Sequence, residues 1–173
     1  MIYLRELERT DLKRITQWRR DPDLVQNFGE PFRFIGSEID TTWFDSYLEN
    51  RHRQVRLAIC LEDSDQHIGN IYLLNIHAVY RSAEISLFIA PKKYRGMGIG
   101  KMACQRMIAH AFNDLNLNRL GLTLLSENAK ALSLYCSLGF EQEGLLREAV
   151  CQAGAYLDLV QMGLLRSEWK SEE

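Results

Sequence analysis

The chain has 173 residues, 46% of them hydrophobic and 25% charged, with a formal net charge of -2. That length suits one domain with its own core, so a single domain over residues 1–173 is expected. The charge balance gives no reason to expect binding to nucleic acid or to an anionic membrane. No apolar run approaches the ~20 residues of a spanning helix.

The opening MIYLRELERTDL carries acidic residues early and lacks an apolar signal core, which points to a cytoplasmic protein. Cys60, Cys104, Cys136 and Cys151 are scattered with no C-x-x-C pair and are read as structural. His52, His67, His77 and His110 form no metal-spaced cluster, so no metal site is expected.

In chain order, Ile2 to Arg5 reads as a short strand, and Thr10 as the cap of a helix ending before Asp21-Pro22. Residues 22 to 37 read as a loop rich in aromatics, with Phe28, Phe32 and Phe34 around Glu30. A second helix begins at Ser37 or Asp40, with Trp43, Phe44, Tyr47 and Leu48 at helical spacing. Strands are expected at 55–61, 67–76 and 82–90, the first two joined as a hairpin by the polar turn Glu62 to Gln66.

The stretch Arg95-Gly96-Met97-Gly98-Ile99-Gly100-Lys101 follows the third of these strands and opens a helix. Three glycines on alternate positions remove side chains and let backbone N–H groups converge. A helix start adds unpaired donors and partial positive charge, and Arg95 and Lys101 add full charges. The chemistry is that of a pyrophosphate cradle, set against a plain glycine-rich turn. It is not a P-loop, because Met102 follows Lys101 and no hydroxyl is offered to magnesium. It is not the dinucleotide fingerprint either, because lysine occupies position 101 where G-x-G-x-x-G needs glycine.

The helix beyond places Cys104, Ile108, Ala111, Phe112 and Leu115 on one face. A strand at 119–125, a helix from Asn128 to Leu138 closed by Gly139, and strands at 144–151 and 155–165 complete the chain. This order argues for an α/β fold: a mixed, mostly antiparallel sheet flanked by helices, with one parallel step.

The glycine stretch, R-x-x-G-x-G after an apolar strand, is followed by N-x-x-A-x-x-L-Y-x-x-L-G-F from Asn128 to Phe140. In this order and spacing the pair resembles the GNAT acetyltransferase superfamily, over most of the chain. SAEISLFIAP, GFEQEGLLRE and AYLDLVQMGLL resemble the branch holding spermidine, amino-sugar and ribosomal-protein N-terminal acetyltransferases.

The resemblance implies acetyl-CoA as co-substrate and donor, and a primary amine as acceptor. By position it implies that Arg95, Gly96, Met97, Gly98, Ile99, Gly100 and Lys101 hold the pyrophosphate through backbone amides. Phe88, Ile89 and Ala90 would pair through their backbone with the pantetheine arm, as an added strand does. A backbone amide there would polarise the thioester carbonyl, and Asn128 would contact the cofactor. Tyr135 occupies the position that protonates the departing thiolate, the bland alternative being a packed core tyrosine. Glu84, on one strand face with Ser86 and Phe88, is the candidate base, directly or through water; the alternative is a glutamate paired with Arg81.

Acceptor selectivity is expected from residues 22–50, where Phe28, Glu30, Phe32 and Phe34 either line a pocket or form an aromatic loop that merely covers the core, and from the hairpin around Gly154 to Asp158. The leading expectation is direct acetyl transfer to a small-molecule amine, an amino sugar or polyamine, with Trp18 to Leu24 (WRRDPDL) closer to the amino-sugar enzymes. Acetylation of a protein N-terminus and a CoA-binding sensor without strong catalysis are the alternatives. The family also implies a homodimer or higher homo-oligomer.

Overall fold

Residues 1–28 and 32–170 are described in a computed structural model. The strands are β1 (Ile2–Glu6), β2 (Val55–Leu61), β3 (His67–His77), β4 (Ser82–Ile89), β5 (Arg119–Leu125), β6 (Glu141–Gln152) and β7 (Ala155–Leu165). The helices are α1 (Leu12–Arg19), α2 (Pro22–Val25), α3 (Ser37–Glu49), α4 (Ile99–Ala109) and α5 (Ala129–Ser137). The strands form one seven-stranded sheet in the order β1-β2-β3-β4-β5-β7-β6. Every neighbouring pair is antiparallel except β4 and β5. This is the expected α/β architecture, a mostly antiparallel sheet flanked by helices with one parallel step.

Two apolar layers hold it. On one face α4 buries Ala103, Cys104, Met107 and Ile108 against Ile71, Leu73, Ala83 and Ile85 of the central strands. Each large side chain so buried contributes roughly 1.5–3 kcal/mol. On the other face α1 and α3 cover β1 and β2 with Leu12, Ile15, Phe44 and Tyr47. These two helices are joined by Asp40, whose carboxylate is fully buried and accepts from Arg19 at 2.8 Å and Thr16 Oγ1 at 2.6 Å. The alternation in β3 and β4 decides which residues face which layer.

Several local expectations are corrected. Thr10 does not cap α1: a 3₁₀ turn over Arg9–Asp11 precedes it, and Asp11 Oδ2 accepts from the Glu8 amide at 2.9 Å. The stretch after Arg20 is not all loop, because Asp21 caps the short α2 by accepting from the Asp23 amide at 3.0 Å. Only Cys60 and Cys104 are buried; Cys136 and Cys151 are exposed. Among the described residues no helix is long and apolar enough to cross a membrane, and no cluster of metal-ligating side chains occurs.

Candidate active site

β4 and β5 run parallel for only three pairs, Ser82↔Arg119, Ala83↔Leu120 and Glu84↔Gly121, while β4 stays paired with β3 as far as Ile89. Beyond Glu84 the two strands part, and β4 has an open backbone edge. Which groups face that edge follows from the ladder. The Ala90 amide donates to the Ile68 carbonyl of β3 at 2.9 Å. In an antiparallel ladder the direction alternates, so Ser86 and Phe88 spend their backbone groups on β3, as does the Ala90 amide. Leu87 and Ile89 turn theirs to the gap. Of the residues expected to pair with a pantetheine arm, Ile89 turns its amide to the gap, its carbonyl accepting from Arg95, and Leu87 lies beside it. Phe88 points its backbone groups the other way, as does the Ala90 amide.

Gly69 makes this arrangement possible. A Cβ on it would lie 2.2 Å from the Phe88 carbonyl oxygen and 3.1 Å from Ile89 Cα, so only glycine lets β3 and β4 approach here.

The glycine stretch leaves the end of β4 and enters α4. Arg95 fastens it back: Nε donates to the Ile89 carbonyl at 2.9 Å and Nη2 to the Ala90 carbonyl at 2.7 Å. Its guanidinium thus braces the strand end. Gly96 and Gly98 have φ of +78° and +79°, a left-handed backbone that other residues adopt at a cost of roughly 1–2 kcal/mol. Nothing lies within 4 Å of a Cβ built on either, so the space above them is open. Gly98 caps α4, whose first internal bond runs from the Met102 amide to the Gly98 carbonyl at 3.1 Å. That leaves the Ile99, Gly100 and Lys101 amides as first-turn donors with no intrahelical acceptor. Lys101 and Met97 are exposed, whereas Ile99 is buried. The N-terminus of α4 with these glycines is an anion cradle of backbone N–H groups.

α5 lies against the same helix start, with Leu134 Cδ2 3.5 Å from where a Cβ on Gly100 would sit. Asn128 caps α5 by accepting from the Ala131 amide at 3.1 Å. Tyr135 is buried at 7% exposure with its ring edge-on to Phe140. Among the described residues its hydroxyl makes no hydrogen bond, although the side chain is nearly enclosed. Burial, with a smaller contribution from nearby Cys104, pushes its pKa well above the ordinary tyrosine value. A phenol in this state keeps its proton throughout the neutral range.

Glu84 is exposed on β4 and accepts from Asn75 Nδ2 at 3.2 Å. It does not pair with Arg81, which instead bonds the carbonyl and side-chain oxygens of Asn116. On the same strand face, Ser86 and Phe88 line a hollow of about 450 Å³ beneath α1, α2 and α3. Trp18, Trp43 and Tyr72 form its aromatic wall. From the aromatic loop, Arg33 and Ile35 face the hollow, while Phe34 is 98% exposed and stacks edge-on with Phe32. Glu30 and the Phe28 side chain lie outside the described residues. Asp158 spends its carboxylate on the Glu148 amide at 2.7 Å within the β6–β7 hairpin.

A buried polar chain behind the hollow was not expected from the sequence. His67 Nδ1 lies 3.3 Å from Asp11 Oδ1, and its Nε2 meets Asn70 Oδ1 at 2.6 Å. Asn70 Nδ2 in turn donates to the Tyr72 hydroxyl at 2.7 Å, at the edge of the hollow. Burial raises the Tyr72 pKa to about 12, so that hydroxyl too stays protonated. The only hint in the sequence is Asn70, a polar residue inside the apolar run IGNIYLL.

Residues 2–141 match the model of the acetyltransferase (GNAT) domain family. The chain is 32% identical over 168 residues to a spermidine N(1)-acetyltransferase of Vibrio cholerae, covering 96% of this chain and 94% of that one. The solved structure of spermidine N-acetyltransferase from Vibrio cholerae in complex with CoA and spermine superposes with a TM-score of 0.90 at 28% identity, covering 96% of both chains. A dodecameric structure of that organism's enzyme, in an intermediate state, matches at a TM-score of 0.82 and 29% identity, covering 96% of this chain and 94% of that one. With these matches over the splayed strands and the glycine cradle, the chain belongs to the GNAT acetyltransferase family and is an acetyl-CoA-dependent N-acetyltransferase.

Proposed function

We propose that the cleft between β4 and β5 takes the pantetheine arm and that the acetyl group passes directly to a primary amine of a small molecule held in the hollow beside β4. The parting of β4 from β5 after Glu84, which leaves Leu87 and Ile89 facing an open edge, carries this reading. The cradle from Arg95 to Lys101 binds the pyrophosphate, and the Ile89 amide polarises the thioester carbonyl. Asn128 borders the cofactor from the start of α5.

In the transfer the amine lone pair attacks the carbonyl carbon. The N–C bond forms, the C–S bond breaks, the sulfur takes the Tyr135 proton, and the proton shed by the acylated nitrogen returns to the tyrosinate through water. An alkylammonium must first lose a proton, at roughly 4 kcal/mol for a pKa near ~10. Glu84 receives it, directly or through water, from an amine seated near Ser86 and Phe88. The relatives that act on spermidine support a polyamine among the acceptors, and amino sugars are the other class raised by the sequence. A thiol-release assay with acetyl-CoA across polyamines, amino sugars and short peptides tests this. Turnover on a small amine supports it. Turnover on peptides alone, or tight acetyl-CoA binding with no turnover, counts against it.

We also infer a homo-oligomer, as the dodecameric relative supports. β6 is an edge strand, and Leu145, Leu146 and Tyr156 of the β6–β7 hairpin are exposed at 42% or more. Light scattering on the purified protein reads the mass; a monomer at micromolar concentration would count against this. A cytoplasmic setting belongs with the same reading, since none of the four cysteines is in a disulfide.

A further inference from the structure

We propose that the acceptor amine also carries an anionic group, a carboxylate or phosphate, which docks on Arg56 and Arg33 at the far side of the hollow from β4. The inference rests on the acetyl-transfer reading and narrows its acceptor class to anion-bearing amines, so that this chain departs from the bare polyamine its relatives act on.

The hollow is lined by three arginines, Arg19, Arg33 and Arg56, and by no carboxylate among the described residues. Arg19 is already matched by the buried Asp40. Arg56 is not matched. Its Nε donates to Gln54 Oε1 at 2.8 Å, and its guanidinium carbon sits 4.5 Å from the Trp43 ring centre and 4.7 Å from that of Tyr72. Aromatic faces therefore hold the guanidinium plane on two sides, the Tyr72 hydroxyl lies beside it, and no carboxylate lines the hollow next to it among the described residues. Burial disfavours the charge of Arg56, and Arg19 adds like-charge repulsion. A guanidinium does not escape by losing its proton. What relieves it is an anion, and its planar fork matches carboxylate and phosphate oxygens. Arg33, exposed on the loop over the same hollow, makes no ion pair among the described residues. A polycation entering here meets charge of its own sign.

Geometry sets the spacing. Arg56 pairs with Tyr72 on β3, and Tyr72 with Ser86 on β4. Two strand steps separate Arg56 from Ser86, roughly 10 Å. The anionic group is therefore several bonds from the reacting amine, farther than the carboxylate of an α-amino acid.

A matched series tests this: 6-aminohexanoate, hexylamine and 1,6-diaminohexane share one length and differ in end charge, and glucosamine 6-phosphate is set against glucosamine. The expected result is a kcat/KM about tenfold or more higher for each anion-bearing member over its neutral partner. In Arg33→Gln and Arg56→Lys that preference shrinks, while acetyl-CoA affinity and melting temperature hold. Where turnover is too slow to rank the series, calorimetric titration of the CoA-bound protein with the same compounds reads the same preference. Equal values across the series, a preference for 1,6-diaminohexane or spermidine, or no binding of any anion-bearing member overturns the proposal and leaves acetyl transfer standing. Failure to bind acetyl-CoA would overturn both.

Discussion

His67 and Asn70, three residues apart on β3, meet side chain to side chain at 2.6 Å inside the protein. In a regular strand such residues point to opposite faces. Here the β2–β3 register shifts between Ile59↔Gly69 and Cys60↔His67, and the extra residue, Ile68, turns His67 onto the face of Asn70. With its Nε2 hydrogen given to Asn70 Oδ1, His67 fixes the orientation of the amide, and the amide fixes the Tyr72 hydroxyl at the hollow. Rigid placement of one hydroxyl at the edge of the hollow is the consequence.

Replacing Asn70 with alanine leaves the buried His67 nitrogen and the Tyr72 hydroxyl without their shared partner. A buried polar group so orphaned costs about 1–3 kcal/mol. Denaturant unfolding of Asn70→Ala should show a loss of that order with an unchanged m-value. Tyr72→Phe, which orphans only the outer amide donor, should lose less stability and should raise the acceptor KM. Equal stability of Asn70→Ala and wild type would mean the chain of bonds has no structural weight.

Asp11 predicts an acid limb of stability. Burial alone would raise its pKa, but the paired hydrogen bonds from Arg5 at 2.7 and 2.8 Å, with His67 beside it, outweigh burial and hold it well below the usual carboxylate range. A carboxylate with a depressed folded pKa contributes stability that is complete above its unfolded value of about 3.9 and is lost as pH falls from there through the folded value. The contribution should be on the order of 2 kcal/mol. Unfolding free energy measured between pH 6 and pH 3 should fall more steeply in wild type than in Asp11→Asn. Parallel curves would remove Asp11 as the cause.

Two glycines should fail differently. Gly69→Ala drives a Cβ into the Phe88 carbonyl and must push β4 off β3, so it should lower both melting temperature and acetyl-CoA affinity. Gly98→Ala meets no neighbour but takes on a left-handed backbone and places a methyl over the cradle. Its strain, roughly 1–2 kcal/mol, should leave the protein folded, with acetyl-CoA binding weakened about tenfold or more. Calorimetric titration of both variants separates the cases, and wild-type affinity in Gly98→Ala would count against the cradle.

The glycine stretch and the Asn128–Phe140 helix were legible because each needs particular residues at particular spacings. Asn128 as a cap and Gly139, at φ +93°, are local facts of that kind. The strand ranges were legible too, since apolar alternation is local. The Leu87–Ile89 edge was not, because it depends on which ladder Ala90 joins. Nor was the His67–Asn70 contact, which requires a bulge that periodicity cannot reveal. In the aromatic loop, large rings suggested a lining, yet Phe34 points to solvent and Arg33 faces the hollow. Side-chain direction in a loop is decided by tertiary packing, which composition does not encode.

Tyr135→Phe tests the proposed proton donor. The ring stays, so its packing against Phe140 and the α5 contact with α4 survive. Only a hydroxyl that makes no hydrogen bond among the described residues is lost, and the melting temperature should hold. Because burial raises the Tyr135 pKa, the group stays in its acid form throughout the neutral range and beyond its ordinary value near ~10. It therefore contributes no basic limb to the rate profile below that value, and the limbs seen between pH 6 and pH 9 should persist in the variant. Loss of a general acid typically costs ~10²-fold or more in rate. The expected outcome is thus a kcat down by about that factor, with the acetyl-CoA dissociation constant within about twofold of wild type. A kcat within about twofold of wild type would instead leave Tyr135 as a packed core residue, with water protonating the thiolate.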